Sequence, residues 1–276
     1  MISCKEYAEI KKAELKEKIA ELDFVPKLVV IQVGDNPASN SYIAGKKKDC
    51  EEVGIEMEHL WYPEDISNAS LTAEVMVKCW DHSATGIIVQ LPLPDQINVK
   101  ELQKHIWRDK DVDGFHPSSS FDPCTPLGII NYLKYNNYEF EGKNALVIGR
   151  SDIVGKPLAR MLTELDCTVT LAHSKSCLTD ALKHKDIAFT CIDKLEYFDA
   201  FGEFDDNTDI IDIGFGRNAD GKLVGNLNAY TVELANNSVS RFGGFIISGP
   251  GGVGLLTRVA LLENIYKAAL MRKGVS

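Results

Sequence analysis

The hydrophobic positions along the chain predict short buried strands that alternate with amphipathic helices. A continuous apolar run such as 145–148 is typical of a strand buried on both faces, whereas apolar residues that recur every three or four positions indicate a helix. The predicted strands are 28–33, 55–62, 86–91, 145–148, 167–172, 187–192, 210–213 and 244–247. The predicted helices are 1–22, 37–53, 71–80, 99–106, 129–135, 154–162 and 255–271. This alternation predicts an α/β protein with parallel sheets and helices on both faces of each sheet.

Cap residues and glycine-rich segments predict where several elements begin and end. Asn36 suits the N-cap of the second helix, and Gly54 suits its left-handed C-terminal cap. The segment TPLG at 125–128 breaks the helical pattern, so we expect the next helix to begin after it. The segment GPGGVG at 249–254 indicates either close approach by a ligand or another backbone, or a flexible hinge.

The stretch 144–162 predicts a strand, a glycine turn and the N-terminus of a helix. This is the geometry that receives the pyrophosphate of a dinucleotide. Gly149 ends the strand, and Arg150, Ser151 and Gly155 follow, so the usual G-x-G-x-x-G spacing is absent. The alternative is a tight turn in a purely structural βαβ unit.

The end of the following strand favours NADP over NAD. An NAD site usually places Asp or Glu there to hold the ribose 2′-OH, whereas this chain has Ser174 and Lys175. Together with Arg150, these side chains offer charge-assisted donors that suit a 2′-phosphate. The alternative is that Ser174 and Lys175 are ordinary solvated loop residues.

One helix presents a lysine on its buried side. Tyr42 and Lys46 stand on one face of the helix at 37–53, and Lys46 falls within the inward apolar stripe. A desolvated lysine can act as acid or base near neutral pH, although its long side chain can also reach the solvent. Gly45 beside it is costly in a helix interior, by about 1 kcal/mol relative to alanine, which indicates that something packs closely there.

Polar residues at a strand end and in a loop are further candidates for a binding site. Gln90 ends the strand at 86–91, where ligands of open α/β sheets bind, although a plain strand-end hydrogen bond is the alternative. Asp111 and Asp113 lie in one loop, but no further ligand spacing supports a metal site, and none is predicted. A single carboxylate can instead accept paired N–H donors from a heterocycle such as a pterin.

Composition and charge exclude several classes of protein. The net charge of −10 argues against a nucleic-acid-binding surface. No apolar run approaches the ~18 residues that span a membrane, and the N-terminus lacks the apolar core of a signal peptide. The seven cysteines are scattered without a Cys-x-x-Cys pair, so we expect neither zinc nor disulfides, and a reduced cytoplasm fits.

Taken together and in order, these segments resemble the bifunctional methylenetetrahydrofolate dehydrogenase/cyclohydrolases over nearly the whole chain. Each segment alone is modest evidence, but their joint order is highly specific. The segments are GDNPAS at 34–39 with Tyr42 and Lys46, VQLPLP at 89–94, KDVDG at 110–114, PCTP at 123–126, GRS at 149–151 with VGKP at 154–157, HSK at 173–175, and PGGVG at 250–254.

The resemblance implies the reaction and the domain organisation. NADP+ would oxidise 5,10-methylenetetrahydrofolate to the methenyl compound, and water would convert that to 10-formyltetrahydrofolate, a step of one-carbon metabolism that serves purine biosynthesis. Residues 1–122 with the final helix at 256–276 would form a folate-binding catalytic domain, and 123–255 a Rossmann-like NADP-binding domain. The active site would lie in the cleft between domains, and cytoplasmic homodimers would form through the nucleotide domain.

The resemblance also assigns roles to individual residues. Lys46 would serve the proton transfers of hydrolysis and Gln90 would hold it in place, while Tyr42 would pack against the folate rings and Asp113 would hold the pterin edge. The implied substrate-binding glycines are Gly251 and Gly252, and the implied cofactor-binding residues are Gly149, Arg150, Ser151, Gly155, Ser174, Lys175 and Ile192.

Three segments depart from the family pattern. Ile192 stands where the pattern has glycine, Asn226 stands where it has aspartate, and Ser248, Gly249 and Leu255 replace two prolines and a valine. We expect these departures to affect dehydrogenase efficiency and cofactor preference more than the fold. Two alternatives therefore stay open: an NADP-dependent dehydrogenase of another small metabolite, and a folate- or nucleotide-binding protein with impaired dehydrogenase turnover.

Overall fold

The computed structural model describes residues 1–199, 203–205, 207–231 and 244–274, and the chain forms two compact units. The first unit consists of Ala8–Cys124 and Arg258–Ser276, and the second unit of Met1–Tyr7 and Thr125–Thr257. Among the described residues, no helix has the length and apolar character needed to span a membrane.

The first unit is built on a three-stranded parallel sheet. Its elements along the chain are α1 (Cys4–Ala20), β1 (Lys27–Val33), α2 (Pro37–Val53), β2 (Glu56–Tyr62), α3 (Asn68–Trp80), β3 (Gly86–Val89) and α4 (Val99–Lys104). The strands lie in the order β2-β1-β3, and apolar side chains of β1 and β3 pack against α3 and α4. The C-terminal part of the last helix, α8 (Gly254–Lys273), also belongs to this unit.

The second unit is built on a five-stranded parallel sheet. Its main elements are α5 (Cys124–Tyr135), β4 (Asn144–Ile148), α6 (Gly155–Glu164), β5 (Thr168–Ala172), α7 (Leu178–Ala181), β6 (Ile187–Thr190), β7 (Asp209–Asp212), the hairpin of β8 (Gly216–Arg217) and β9 (Leu223–Val224), and β10 (Ile246–Ile247). The strand order is β10-β7-β6-β4-β5. Parallel sheets with crossover helices confirm the predicted α/β fold class.

The predicted caps of α2 are confirmed. The Asn36 side chain accepts hydrogen bonds from the backbone N–H groups of Ala38 and Ser39, and Gly54 adopts the left-handed conformation at φ 85°. These residues satisfy backbone groups that a helix end leaves unpaired. The local sequence therefore fixes both ends of the helix that carries Lys46.

The prediction that TPLG precedes a helix beginning at 129 is wrong, because α5 begins at Cys124 and contains the segment. Pro126 lies in the first turn, where the missing N–H costs nothing. Gly128 lies in the helix interior. The backbone carbonyl of Leu256 lies so close to it that there is no room for a Cβ, which explains why this helical residue is a glycine. Gly128 is therefore explained by close packing against Leu256, and it does not indicate the end of a helical pattern.

The first seven residues pack with the second unit, which differs from the predicted domain ranges. Tyr7 makes edge-to-face contacts with Tyr132 and Tyr135 of α5, at ring-centroid distances of 5.3 and 5.2 Å. The backbone of Ile2 donates to the Asn136 side chain and accepts from the Tyr132 hydroxyl. The predicted boundaries, 1–122 with 256–276 and 123–255, stay a prediction of the functional division.

Of the two interpretations of GPGGVG, close backbone approach describes 249–254 better than a hinge. Gly249–Val253 forms a π-helical turn that leads directly into α8. A Cβ at Gly249 would collide with the carbonyl of Gly214, and one at Gly252 would crowd the Ile247 side chain. Packing within the second unit therefore requires glycine at position 249 and is tight at position 252.

We predict that Gly128→Ala destabilises the protein although alanine is the better helix former. The added Cβ would meet backbone atoms of Leu256, which cannot rotate away, and such overpacking typically costs about 1–3 kcal/mol. This exceeds the ~1 kcal/mol that alanine gains in helix propensity. The midpoint of denaturant unfolding measures the difference.

Gly254→Ala is the matched control for this prediction. Gly254 begins α8 with ordinary helical angles, and nothing lies within 4 Å of the position of its Cβ. The control should be as stable as the parent or slightly more stable. A Gly128→Ala variant that matches the control would contradict the packing argument.

Candidate active site

A hydrogen bond joins the two polar residues that the sequence singles out in the first unit. Lys46 Nζ donates to Gln90 Oε1 at 3.0 Å. Lys46 is half-buried because α2 packs inward through Ile43 and Cys50 on the same side of the helix. Gln90 directly follows β3, and its own amide donates to the carbonyl of Leu91 at 2.7 Å, which fixes the side chain's orientation. The carboxyl end of the sheet thus holds an oriented amine.

The loop after α4 adds a carboxylate to this amine. Burial raises the pKa of Asp113, while the positive charge of Lys46 and a hydrogen bond with the Cys124 thiol lower it. The effect of Lys46 on the pKa of Asp113 indicates that this carboxylate lies in the same region of the first unit as the hydrogen-bonded pair of Lys46 and Gln90. An amine, an amide and a carboxylate that share one site can orient a heterocycle and move a proton beside it.

Asp111, two residues away, has a structural task instead. Its buried carboxylate accepts a hydrogen bond from the backbone N–H of His116 at 2.7 Å and is further bonded by Phe115 and Ser119. Burial raises its pKa to about 6. The described residues contain no cluster of three His, Cys, Asp or Glu side chains that could hold a metal ion. Asp111 therefore shapes the loop that presents Asp113.

Two residues of the final helix support the cluster and were not anticipated from the sequence. Asn264 is fully buried, and its amide donates to the carbonyls of Val112 and Asp122 at 2.9 and 3.1 Å, which holds the loop around Asp113. An asparagine within the apolar stripe of a helix is the signal that could have found it.

Arg258 is the second such residue, and it explains Gly45. Its guanidinium lies over Gly45, where a Cβ would collide with it, and its Nε contacts Asp49 at 3.2 Å. Burial raises the pKa of Tyr42, and the charge of Arg258 opposes the shift. Gly45, although it lowers helix stability, therefore leaves space for the guanidinium of Arg258 beside Tyr42.

In the second unit, glycines allow the turn after β4 to approach its neighbours. Gly149 has φ 127°, and a Cβ there would collide with the carbonyl of Cys191; one on Gly155 would collide with the carbonyl of Gly149. Ser151 Oγ accepts from the backbone N–H of Gly155 at 3.3 Å at the start of α6. The N-terminus of a helix carries the positive end of the helix dipole, which favours bound anions.

This turn opens onto a cavity of about 980 Å³. Because β4, β5 and β6 are neighbours, the residues that follow them meet at one edge of the sheet. Of the predicted cofactor residues, the cavity is lined by Gly149, Arg150, Ser151, Ser174 and Ile192. Gly155 lies behind the turn, and Lys175 is exposed beside Ser174 without lining the cavity. The size and the cationic and hydroxyl lining suit a dinucleotide.

Comparison with known proteins decides the family. The family model for tetrahydrofolate dehydrogenase/cyclohydrolase, catalytic domain, matches residues 2–113, and the model for its NAD(P)-binding domain matches residues 123–273. The chain belongs to this family. It is 40% identical over 278 residues to the bifunctional protein FolD of Ruminiclostridium cellulolyticum, covering 96% of this chain and 95% of the relative. The corresponding values for FolD of Bacillus thuringiensis are 39% over 288 residues, with 100% and 98% coverage.

Solved structures agree with this assignment. The FolD methylenetetrahydrofolate dehydrogenase/cyclohydrolase from Campylobacter jejuni has a TM-score of 0.90 at 37% identity, with 98% of each chain covered. The Trypanosoma brucei enzyme, described as complexed with NADP cofactor and inhibitor, has a TM-score of 0.87 at 26% identity, covering 100% of this chain and 98% of that one. The predicted family, and with it a bifunctional dehydrogenase and cyclohydrolase, is confirmed. The roles of individual residues stay predictions.

We predict that Asp111 makes folding stability fall as the pH rises. Burial raises its pKa in the folded protein to about 6, so the folded chain holds a proton that the unfolded chain, with an ordinary Asp pKa of about 3.9, has released. Its contribution to the free energy of unfolding is therefore lost between about pH 4 and pH 6. Asp111→Asn lacks this titration, so its stability relative to the parent should rise over that range.

Denaturant unfolding at a series of pH values measures this difference. Hydrogen bonds that are lost with the carboxylate change the free energy of unfolding by the same amount at every pH. The titration of Asp111 instead makes the difference in this free energy between variant and parent depend on pH. Asp95→Asn, the same substitution at an exposed position of the same unit, is the control for the chemical change itself. A stability difference for Asp111→Asn that does not change with pH would contradict the prediction.

Proposed function

We propose that the chain oxidises 5,10-methylenetetrahydrofolate to 5,10-methenyltetrahydrofolate with NADP+ and hydrolyses the product to 10-formyltetrahydrofolate. The family match supports the pair of activities. The observation that carries the chemistry is the hydrogen bond between Lys46 and Gln90, because it holds a proton-transferring amine at the carboxyl end of the first unit's sheet.

Asp113 and Tyr42 hold the folate in this proposal. A carboxylate accepts two N–H donors side by side, as the edge of a pterin presents them. Burial raises the pKa of Asp113, and the ionised form of its carboxylate is the one that can accept both donors. Tyr42 lies four residues before Lys46 on α2, and its half-buried ring offers a stacking surface for the substrate's aromatic rings. Gly251 and Gly252 stay predictions as further substrate-binding positions.

Lys46 moves the protons of the hydrolytic step. Water adds to the one-carbon unit of the methenyl compound, and the amine of Lys46 accepts one proton from this water. The hydroxyl of the adduct then loses its remaining proton to solvent and becomes the formyl oxygen as the bond between that carbon and N5 breaks. N5 receives the proton held by Lys46, and the formyl group stays on N10. Gln90 fixes the amine in one orientation, so no reorganisation is needed at either transfer.

The second unit holds the cofactor. When bound, NADP+ supplies a nicotinamide ring that accepts a hydride from the one-carbon bridge. Arg150 and Ser174 offer a guanidinium and a hydroxyl to the 2′-phosphate, and exposed Lys175 adds positive charge beside them. The N-terminus of α6 with Gly149 and Ser151 suits the pyrophosphate. The described relative bound to NADP supports the choice of NADP over NAD.

A cytoplasmic homodimer is the assembly that we propose. The strand β5 lies at the edge of the second unit's sheet and exposes Leu171, and an open edge with apolar side chains is a surface that a second copy can cover. All seven cysteines lie in the described ranges and are free thiols, which supports a reducing compartment. 10-Formyltetrahydrofolate made there would serve purine biosynthesis.

One assay of the purified protein tests the whole proposal. Incubation with methylenetetrahydrofolate and NADP+ should produce NADPH and, through the methenyl compound, 10-formyltetrahydrofolate, each followed by its own absorbance. Turnover of other metabolites without turnover of folate would favour the dehydrogenase alternative. Folate binding without NADPH formation would favour the alternative with impaired turnover.

We predict that Lys46→Met abolishes hydrolysis of methenyltetrahydrofolate while the protein stays folded. Methionine keeps the length and apolar bulk of the side chain, so the loss of packing should be small, but it cannot transfer a proton. The fall in methenyl absorbance measures hydrolysis. Lys48→Met, on the exposed side of the same helix, is the control and should behave like the parent. Hydrolysis by a folded Lys46→Met variant would exclude Lys46 as the acid–base group.

We predict that Arg150→Ala weakens the use of NADP+ and leaves the use of NAD+ almost unchanged. Loss of a hydrogen bond to a charged group costs about 1.5–3 kcal/mol, which corresponds to roughly ten- to hundredfold in the Michaelis constant for NADP+. Lys156→Ala removes a nearby exposed charge that pairs with Asp152 and is the control. Equal losses with NADP+ and NAD+ would contradict a contact to the 2′-phosphate.

A further inference from the structure

A buried amide ties together the segment that follows β6. Asn226 is fully buried, and its Oδ1 accepts from the backbone N–H of Ile192 at 3.1 Å. Its Nδ2 donates to the carbonyl of Ile192 at 2.9 Å and to that of Lys194 at 2.5 Å. One side chain therefore satisfies three backbone groups of a segment that pairs with no strand among the residues described.

The backbone of Asn226 is in turn bonded by Asp212, the last residue of β7. Asp212 is buried, and its two carboxylate oxygens accept the backbone N–H groups of Asn226 at 2.9 Å and Leu227 at 3.1 Å. Thr190, the last residue of β6, donates its hydroxyl to the same carboxylate at 3.0 Å. Asp212 and Asn226 thus form a polar bracket between the ends of β6 and β7.

The bracket leaves no spare room around it. A Cβ on Gly214 would collide with the Asn226 side chain, and one on Gly225 with the Asp212 carboxylate. Gly249 in turn packs against the carbonyl of Gly214. Ile192, Asn226 and Gly249, three of the positions that depart from the family pattern, therefore belong to one contiguous packing cluster.

The segment 192–194 forms a wall of the cofactor cavity. Ile192, Asp193 and Lys194 line the same cavity as the Gly149 turn and Ser174. Ser174 follows β5 and the turn follows β4, while β6 and β7 lie on the opposite side of β4 from β5. A dinucleotide with its 2′-phosphate after β5 and its pyrophosphate after β4 must extend its other half past the ends of β6 and β7.

We propose that Asn226 is a positioning residue that fixes the wall 192–194 against the nicotinamide half of the cofactor. The inference rests on the NADP site proposed above. In this chain, where Ile192 replaces the glycine of the family pattern, the carbonyls of Ile192 and Lys194 both accept from the Asn226 amide, and a carboxylate at this position would offer only acceptors. A carboxylate at 226 would also lie beside the buried carboxylate of Asp212, and like charges at close range repel strongly in a buried site.

Asn226→Asp tests the proposal, because it keeps the shape of the side chain and removes the donor. Calorimetry with purified full-length protein compares the affinity for NADP+ with that for adenosine 2′,5′-bisphosphate, which lacks the nicotinamide half. We expect NADP+ to bind about tenfold or more weakly to the variant, and the bisphosphate to stay within about twofold of the parent. Hydrolysis of methenyltetrahydrofolate, which depends on first-unit residues, should also be retained.

Asn228→Asp is the matched control. It introduces the same change two residues further on, where the side-chain oxygen accepts from the backbone N–H of Thr231, a role that a carboxylate also fills. Its affinity for both ligands should equal that of the parent. If Asn226→Asp does not fold, Asn226→Ser gives the same test without a second buried carboxylate.

Two outcomes would overturn the proposal. The first is an unchanged affinity of the Asn226 variants for NADP+, and the second is an equal loss of affinity for NADP+ and the bisphosphate, which would mean that Asn226 merely holds the unit together. Failure of the proposed function is a distinct result, because a parent protein that binds neither ligand would show it before any variant is made.

Discussion

The parallel alignment of the strands is the constraint on which both sites depend. Parallel strands need crossover connections, so every strand of a sheet ends at the same edge, and the residues that follow the strands meet there. In the first unit this edge carries Gln90, and a helix that begins after β1 brings Lys46 to it. In the second unit the same rule collects Gly149, Ser174 and Ile192 around one cavity.

Close backbone approach is the second constraint, and it explains glycines that helix and turn propensities alone would misplace. The carbonyl of Gly149 lies where a Cβ of residue 155 would be, and the carbonyl of Leu256 lies where a Cβ of residue 128 would be. At both positions glycine is therefore required by a close neighbour and not by its own φ angle. Gly45 differs in kind, because it admits the flexible guanidinium of Arg258, which can move aside. The cost of adding a Cβ therefore depends on what the glycine faces.

The sequence predicts features that depend on residues close together along the chain, and it misses contacts between residues that are far apart along the chain. Asn36 and Gly54 cap α2 through groups within a few residues, and the apolar runs find the strands because burial on two faces requires them. The start of α5 was missed because Gly128 responds to α8, which lies far along the chain. Likewise, nothing near Asn226 in the sequence indicates that its amide binds the segment after β6. Such contacts exist only once the fold is formed.

The two activities place different demands on the two units. In the mechanism proposed above, hydrolysis uses an amine, an amide and a carboxylate, and the first unit supplies them from α2, from the residue directly after β3 and from the loop at 110–114. Hydride transfer also needs a precisely held cofactor, because a misplacement of the reacting atoms by about 1 Å can cost on the order of a hundredfold in rate. The departures at Ile192, Asn226 and Gly249 all lie in the second unit. The Asn226 side chain bonds the backbone of Ile192, and Gly214 packs against both the Asn226 side chain and Gly249. A change at one of them therefore requires an adjustment at its neighbours, while the hydrolytic residues are left as they are.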